Sequence, residues 1–175
     1  MYLKAQKEVD AVFGEKEELD FDDITKLVYL ETVLREALRM NPPVNATSRV
    51  CTKDKVVIEG LHIPQGAIPF IPQVALHRDP RYWEEPKSFN PDRFSAAERS
   101  KMKPFSFMPF MAGPRNCIGK NFAMLEMKVM ISRFLREFEL ENPNPEVTEL
   151  ITHGTSITTR PLNGVPVRVL PRLRS

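Results

Sequence analysis

Phe110, Gly113, Arg115, Cys117 and Gly119 stand in one run, Phe110-Met111-Ala112-Gly113-Pro114-Arg115-Asn116-Cys117-Ile118-Gly119. A cysteine sits in a glycine-bearing loop, an arginine stands just before it, and a helical pattern follows at once. Gly113 and Gly119 permit backbone conformations and close approaches that a side chain blocks. Backbone N–H groups at the start of the next helix can point at the Cys117 sulfur, and the helix dipole favours a thiolate there. A buried thiolate held by backbone donors suits a soft metal centre such as haem iron. Arg115 offers positive charge to a carboxylate such as a haem propionate. A lone cysteine is more often a small buried apolar residue than a ligand, so it is the surrounding loop that points to ligation.

A second pair, Glu36 and Arg39, lies within reach on a helix, as does Glu31 with Arg35 in the spacing of an ordinary solvated pair. At about 100° per residue, Arg39 points nearly opposite the stripe Leu30, Val33, Leu34, Ala37 and Leu38. The pattern alone therefore reads Glu36–Arg39 as a surface pair. His77-Arg78-Asp79 mimics the start of a kinase catalytic loop. Glu84 stands where that loop needs an asparagine, and no glycine-rich phosphate loop is present, so a kinase is excluded. His62, His77 and His153, with Cys51, show no zinc-type spacing and read as surface or hydrogen-bonded residues.

The elements that must position these groups are readable in outline. Residues 1–13 read as a helix ending at Gly14. Asp20, Asp22 and Asp23 suit a helix start, and a long helix follows to about Met40, where Asn41-Pro42-Pro43 stops it. Short β-type runs occupy 47–72, among them Val56-Val57-Ile58 and Ala67-Ile68-Pro69-Phe70-Ile71, with turns at Glu59-Gly60 and Pro64-Gln65-Gly66. From Gln73 to Met108 the chain is mostly irregular and punctuated by prolines, which suggests a segment that covers something. A helix from Gly119 to about Phe138 is apolar nearly all round and is expected to be buried. Strand-like pieces at Ile157-Thr158-Thr159 and Val165–Leu170 flank Asn163-Gly164, a hairpin signal.

At 175 residues the chain is long enough for one domain with a core. A formal charge of +2 gives no reason to expect a nucleic-acid partner. Two cysteines make no disulfide framework and fit a reducing, cytosol-facing compartment. No apolar run is long enough to span a bilayer.

The run around Cys117 resembles the haem-binding loop of the cytochrome P450 family, F-x-x-G-x-R-x-C-x-G. Every fixed position matches, and Ala123 continues the pattern into the helix. Glu36-Ala37-Leu38-Arg39 is similar to the family's E-x-x-R signature, and Asn90-Pro91-Asp92-Arg93-Phe94 to its P-x-R-F segment. The three occur in the family's order. The resemblance implies a mainly α fold with small β-sheets, the C-terminal part of the cytochrome P450 fold, with residues 1–175 as a partial domain. It implies that Glu36, Arg39 and Arg93 form a buried network near the haem loop, in place of the surface reading. Haem b would be held by Cys117 as axial thiolate and iron ligand, with Phe110, Gly113, Arg115 and Gly119 in the loop and Arg49 reaching a propionate. Val44, Asn45, Ala46 and Thr47, and separately Thr155, Ser156 and Ile157, match segments that line the substrate pocket.

The implied activity belongs to a longer parent protein. It is insertion of one oxygen atom from O2 into an unactivated C–H bond of a hydrophobic, lipid-like or sterol substrate, with thiolate donation favouring O–O cleavage. Electrons would come from an NADPH-dependent reductase. Lys101, Lys103, Lys120, Lys128 and Arg133 around the cysteine loop would then be either its docking face or merely solvated. The parent would sit at the cytosolic face of the endoplasmic reticulum membrane. Leu19-Asp20-Phe21, Tyr29-Leu30 and the 90–94 segment resemble the cholesterol 24-hydroxylase branch, with fatty-acid hydroxylases nearly as close. Family members are much longer. The expectation is that the membrane anchor and the central helix with its oxygen-activating acid–alcohol pair are missing here, so no catalytic residue is assigned. The alternative is a non-catalytic fragment or truncated gene product that cannot turn over alone.

Overall fold

The computed structural model describes residues 1–146, 152–153 and 158–172; Thr155, Ser156 and Ile157 lie outside the described residues. Helix α1, Tyr2–Phe13, buries Ala5, Val9 and Phe13, spaced four apart on one face. It stops at Gly14, whose φ of 53° is open to glycine and whose N–H bonds the Asp10 carbonyl at 2.9 Å. Asp20 opens helix α2, Phe21–Lys26, through a reciprocal cap with Asp23.

The long helix expected from Asp20 to Met40 is in fact two. It breaks at Leu27, and α3 runs Val28–Met40. The break has a physical cause. The Glu8 carboxylate reaches across from α1 and accepts the Tyr29 N–H at 2.7 Å and the Leu30 N–H at 2.8 Å. These are first-turn donors of α3 that have no partner within the helix. A carboxylate there also complements the helix dipole. The interruption lets Leu27 turn fully into the core.

Val9, Leu27, Leu30 and Leu34 pack with Leu135 of α6, Lys120–Glu137, into one apolar cluster. The expectation that α6 is buried on nearly all sides fails. Only Lys128, Ser132 and Leu135 are buried, while Phe122 is 69% exposed and Met130 63%. The helix packs by one face on α1 and α3, and its apolar remainder has no covering element among the described residues.

The β-structure is four two-stranded antiparallel sheets among the described residues. β1, Thr47–Ser48, pairs with β4, Phe70–Ile71. β2, Val56–Ile58, and β3, Leu61–Ile63, form a hairpin over Glu59 and Gly60, with φ of 48° and 80°. Two left-handed central residues are what a tight right-twisted hairpin needs. The "irregular" stretch holds helix α4, Gln73–His77, a 3-10 turn at Pro91–Phe94 and helix α5, Ala96–Arg99.

Asn163-Gly164 does not join two paired strands. β5, Phe138–Glu141, pairs with β8, Arg168–Pro171, and β6, Thr152–His153, pairs with β7, Arg160–Pro161. β5 leaves α6 as an open edge, and the tail returns to fill it. Arg172 secures that return by bonding both Asp10 oxygens, at 3.0 and 2.9 Å, and the Leu135 carbonyl at 3.0 Å. The fold is thus mainly α with small β-sheets, as expected.

Removing the cross-helix cap tests this account. In the full-length protein, Glu8→Ala should cost about 0.5–2 kcal/mol in urea unfolding, the range for a lost helix cap. Glu15→Ala, at an exposed position, should be close to neutral. Equal effects would separate the helix break from Glu8.

Candidate functional site

The interior is organised around Glu36 and Arg39, both 0% exposed. Arg39 grips Glu36 in a fork, Nε to Oε2 at 2.7 Å and Nη2 to Oε1 at 2.8 Å. Its remaining N–H groups go to three backbone carbonyls. Nη1 donates to His77 and to Pro86 at 2.8 Å each, and Nη2 to Ser88 at 3.2 Å. Every guanidinium donor is used. Glu36 Oε1 also accepts the Asn90 N–H at 2.9 Å. Arg93 Nε stands 3.6 Å from Glu36 Oε1, and its Nη2 donates to the Glu85 carbonyl at 3.0 Å. The structure therefore brings Glu36, Arg39 and Arg93 together, and the surface reading of Glu36–Arg39 is corrected. Periodicity failed because α3 is packed on two sides. One side meets apolar side chains, which the pattern registers; the other meets backbone carbonyls, which it does not.

The Glu31–Arg35 pair is also more than a solvated pair. Arg35 bonds Glu31 Oε1 at 2.6 and 2.9 Å, and Lys128 of α6 bonds Glu31 Oε2 at 2.7 Å. Burial pushes the Glu31 carboxyl up, and the Lys128 and Arg35 charges overcome it, so the net movement is downward. Lys128 is buried, so it belongs to this bridge and not to a basic surface.

His77 is fully buried at the end of α4. Its Nε2 accepts the Met108 N–H at 2.9 Å, which places the ring proton on Nδ1. Burial, with the Arg39 charge nearby, pushes the imidazole down to about 4, so it is neutral near pH 7. The ring packs 5.4 Å from Phe107, which joins Trp83 and Phe94 in an aromatic cluster. At the other end of α4, Gln73 is buried and its Nε2 lies 3.0 Å from the Met111 sulfur. Gln73 was not singled out from sequence; His77, read there as a surface or hydrogen-bonded histidine, is hydrogen-bonded and buried. The available signal was their i, i+4 spacing, which puts two polar groups on one face of one turn.

The cysteine loop closes through the Cys117 N–H, which donates to the Phe110 carbonyl at 2.8 Å. Met111 and Gly113 take left-handed conformations, φ 62° and 77°, to make the reversal, and a 3-10 turn at Gly113–Arg115 follows. Two expectations are corrected. Cys117 is exposed, not buried. The first N–H of α6, on Lys120, goes to the Cys117 carbonyl at 3.4 Å and not to the sulfur. Gly119 flanks the sulfur, since a Cβ there would stand 3.9 Å from Sγ.

Cys117 lines a concavity of about 350 Å³ together with Val44, Thr47, Arg49, Phe110 and Arg115. Gln73 and Met111 form its inner wall. Arg49 and Arg115 share one rim, with Arg49 Nη2 3.5 Å from the Arg115 carbonyl. Asn45 and Ala46 are half-buried and lie outside this lining. A larger hollow, about 420 Å³, lies between α1, α2 and α6 against Phe13, Leu19 and Val129. It holds no cysteine or histidine and is far from the loop chemistry.

These residues fit a haem. An exposed cysteine lines a concavity with Val44, Phe110 and Met111, and Arg49 and Arg115 line it too, bringing the positive charge that suits propionates. Cys51 offers no such setting, because its Sγ donates to the Lys53 and Ile63 carbonyls at 3.2 and 3.7 Å.

A family model described as Cytochrome P450 matches residues 1–166. The chain is 43% identical over 138 residues to cytochrome P450 3A13 of Mus musculus, covering 79% of this chain and 27% of that protein. It is 37% identical over 169 residues to cytochrome P450 3A16 of Mus musculus, covering 97% of this chain and 33% of that protein. Over 138 residues it is 43% identical to cytochrome P450 3A7 of Homo sapiens, covering 79% of this chain and 27% of that protein. The chain thus spans about a third of the length of these relatives. Their names lend no support to the cholesterol 24-hydroxylase branch.

Removing one member of the buried pair leaves the other charged and unpaired, a loss of roughly 3–5 kcal/mol. Arg39→Ala in the full-length protein is expected to give little folded material by thermal unfolding and soluble yield. Arg35→Ala breaks a half-exposed pair and should cost roughly 1 kcal/mol or less. Comparable losses would mean that the Arg39 fork does not carry the segment it binds.

Proposed function

This chain belongs to the cytochrome P450 family, and on that premise we propose that it forms the haem-binding, C-terminal portion of a haem-thiolate monooxygenase. The family's cofactor is haem b bound through a cysteine thiolate. In this chain Cys117 would be the axial and iron ligand, in a loop shaped by Phe110, Gly113 and Gly119. Arg49 and Arg115 would hold the propionates. Bound haem supplies the activation of O2 for transfer of one oxygen atom to a C–H bond. The protein's part is orientation and exclusion of water. Val44 and Thr47, on the concavity wall, would meet the macrocycle or a hydrophobic substrate beside it. The observation that carries this reading is the exposed Cys117 in a concavity that Arg49 and Arg115 also line.

The whole protein would act on a hydrophobic small molecule, with lipid-like or sterol substrates the finer proposal. It would take electrons from an NADPH-dependent reductase at the endoplasmic reticulum membrane. Among the described residues no helix is long and apolar enough to cross a membrane. Of the five basic residues, Lys128 is engaged by Glu31, Lys101 by Glu98, Arg133 by Glu137 and the Glu17 carbonyl, and Lys103 by the Tyr82 ring at 5.2 Å, so a reductase face would draw first on the exposed Lys120. A second reading has its own observation. The recess is open, and α6 presents Phe122 and Met130 to solvent, so the 175 residues alone suit a non-catalytic fragment.

In the full-length protein, Cys117→Ala should abolish the ferrous–CO absorption band of a thiolate-ligated haem, and Cys51→Ala should leave it intact. A band that depends on Cys51 would overturn the assignment. The 175-residue chain by itself should bind haem weakly and aggregate through its exposed apolar surface. With a reductase present it should form no product. Stoichiometric haem uptake with reductase-dependent product would sink the second reading.

A further inference from the structure

Helix α4 touches the cysteine loop at both of its ends. At its start, Gln73 Nε2 and, from β1, Thr47 Oγ1 both donate to the Met111 sulfur, at 3.0 and 3.1 Å. At its end, His77 Nε2 accepts the Met108 N–H at 2.9 Å. Met108 in turn accepts the Met111 N–H at 3.1 Å, and the next residue but one from Met108, Phe110, accepts the Cys117 N–H at 2.8 Å. The backbone carbonyl of the same His77 accepts Arg39 Nη1. One residue therefore joins the buried ion pair, through its carbonyl, to the cysteine loop, through its ring.

We propose that His77 is a positioning residue for the axial cysteine: its neutral imidazole latches Met108, and through it the Cys117 loop, onto the Glu36–Arg39 pair, with Gln73 as the second latch on Met111. The proposal rests on the Cys117 reading for its meaning to haem ligation, but the latch itself is a contact within the chain. Met111 holds a left-handed φ of 62°, a conformation that a methionine keeps only under constraint from its surroundings. The two hydrogen bonds to its sulfur supply that constraint.

The acceptor role also fixes the pH behaviour. A protonated imidazole has no acceptor nitrogen. The charges facing His77 are Arg39 from α3 on its carbonyl, Glu36 bonded to Arg39, and Arg93 behind Glu36; Phe107 and Met108 from the loop do not titrate. The unfolded ring takes up a proton near 6.5 and the folded ring only near about 4, so the latch is at full strength above 6.5 and weakens as pH falls towards 4.

The test uses the full-length holoprotein with His77→Leu and His77→Gln, read by hydrogen exchange at the Met108 amide and by the ferrous–CO band. A glutamine carbonyl can accept the Met108 N–H; leucine cannot. His77→Leu should lower Met108 protection about tenfold, the loss of one buried hydrogen bond, and shift the band toward the form without thiolate ligation. His77→Gln should keep both. If His77→Leu leaves both unchanged, the proposal is wrong. Should His77→Leu not accumulate, the unsubstituted protein and His77→Gln decide it. Met108 protection should decline from pH 6.5 to about 4 in the former and stay flat in the latter, and a shared decline overturns the latch. The Met108 readout makes no reference to haem, so failure of the Cys117 assignment and failure of the latch are distinguishable.

Discussion

A guanidinium in a protein interior must place every N–H group or lose the stability of the fold, and Arg39 meets that demand in only one way. Its fork takes the Glu36 carboxylate, and the rest of its donors need carbonyls that converge from outside α3. The carbonyls of His77, Pro86 and Ser88 come from a segment with little regular structure. That segment has few backbone ladders of its own to hold it. Its order comes from α3, one bond at a time. The pair adds little net stability relative to an apolar replacement, because two charges had to leave water. What it provides is a unique path for the chain between α4 and the 3-10 turn at Pro91–Phe94.

The consequence reaches the cysteine loop by position. His77 carries one of those carbonyls and also lies against Met108; Trp83, over which Arg39 sits at 5.2 Å, packs against Phe94 and Phe107. Phe107 and Met108 are the approach to the loop. A buried electrostatic constraint, an aromatic cluster and the cysteine loop are thus consecutive layers of one structure. The support that reaches the Cys117 loop thus comes from beneath it, through the contacts of His77 with Met108 and Phe107.

The local signals in the sequence were read well where they act within a few residues. Gly14 stops α1, Asp20 caps α2, Glu59-Gly60 turns the β2–β3 hairpin, and the Cys117 loop stands where its glycines and cysteine indicate. The misses share a cause. The break at Leu27 depends on Glu8, some twenty residues away in sequence. The burial of Glu36 and Arg39 depends on carbonyls that carry no sequence signal. β8 bypasses its neighbour across Asn163-Gly164 because β5 offers an open edge and Asp10 a partner for Arg172. Periodicity records what one face of an element needs; it is silent about polar partners that arrive from elsewhere in the chain.

The composition of α6 shows the same limit from the opposite side. Its apolar residues surround the helix, yet its buried positions are Lys128, Ser132 and Leu135, two of them polar. The buried face is chosen by Glu31, which needs a cation at Lys128, and by Leu135, which completes the cluster with Val9 and Leu30. Phe122 and Met130 are left outward by that choice, not by any hydrophilic character of their own. Met124, Leu125 and Met127 pack against the same cluster, so α6 is held by one face, and among the described residues Phe122 and Met130 stand on the face that this packing leaves open.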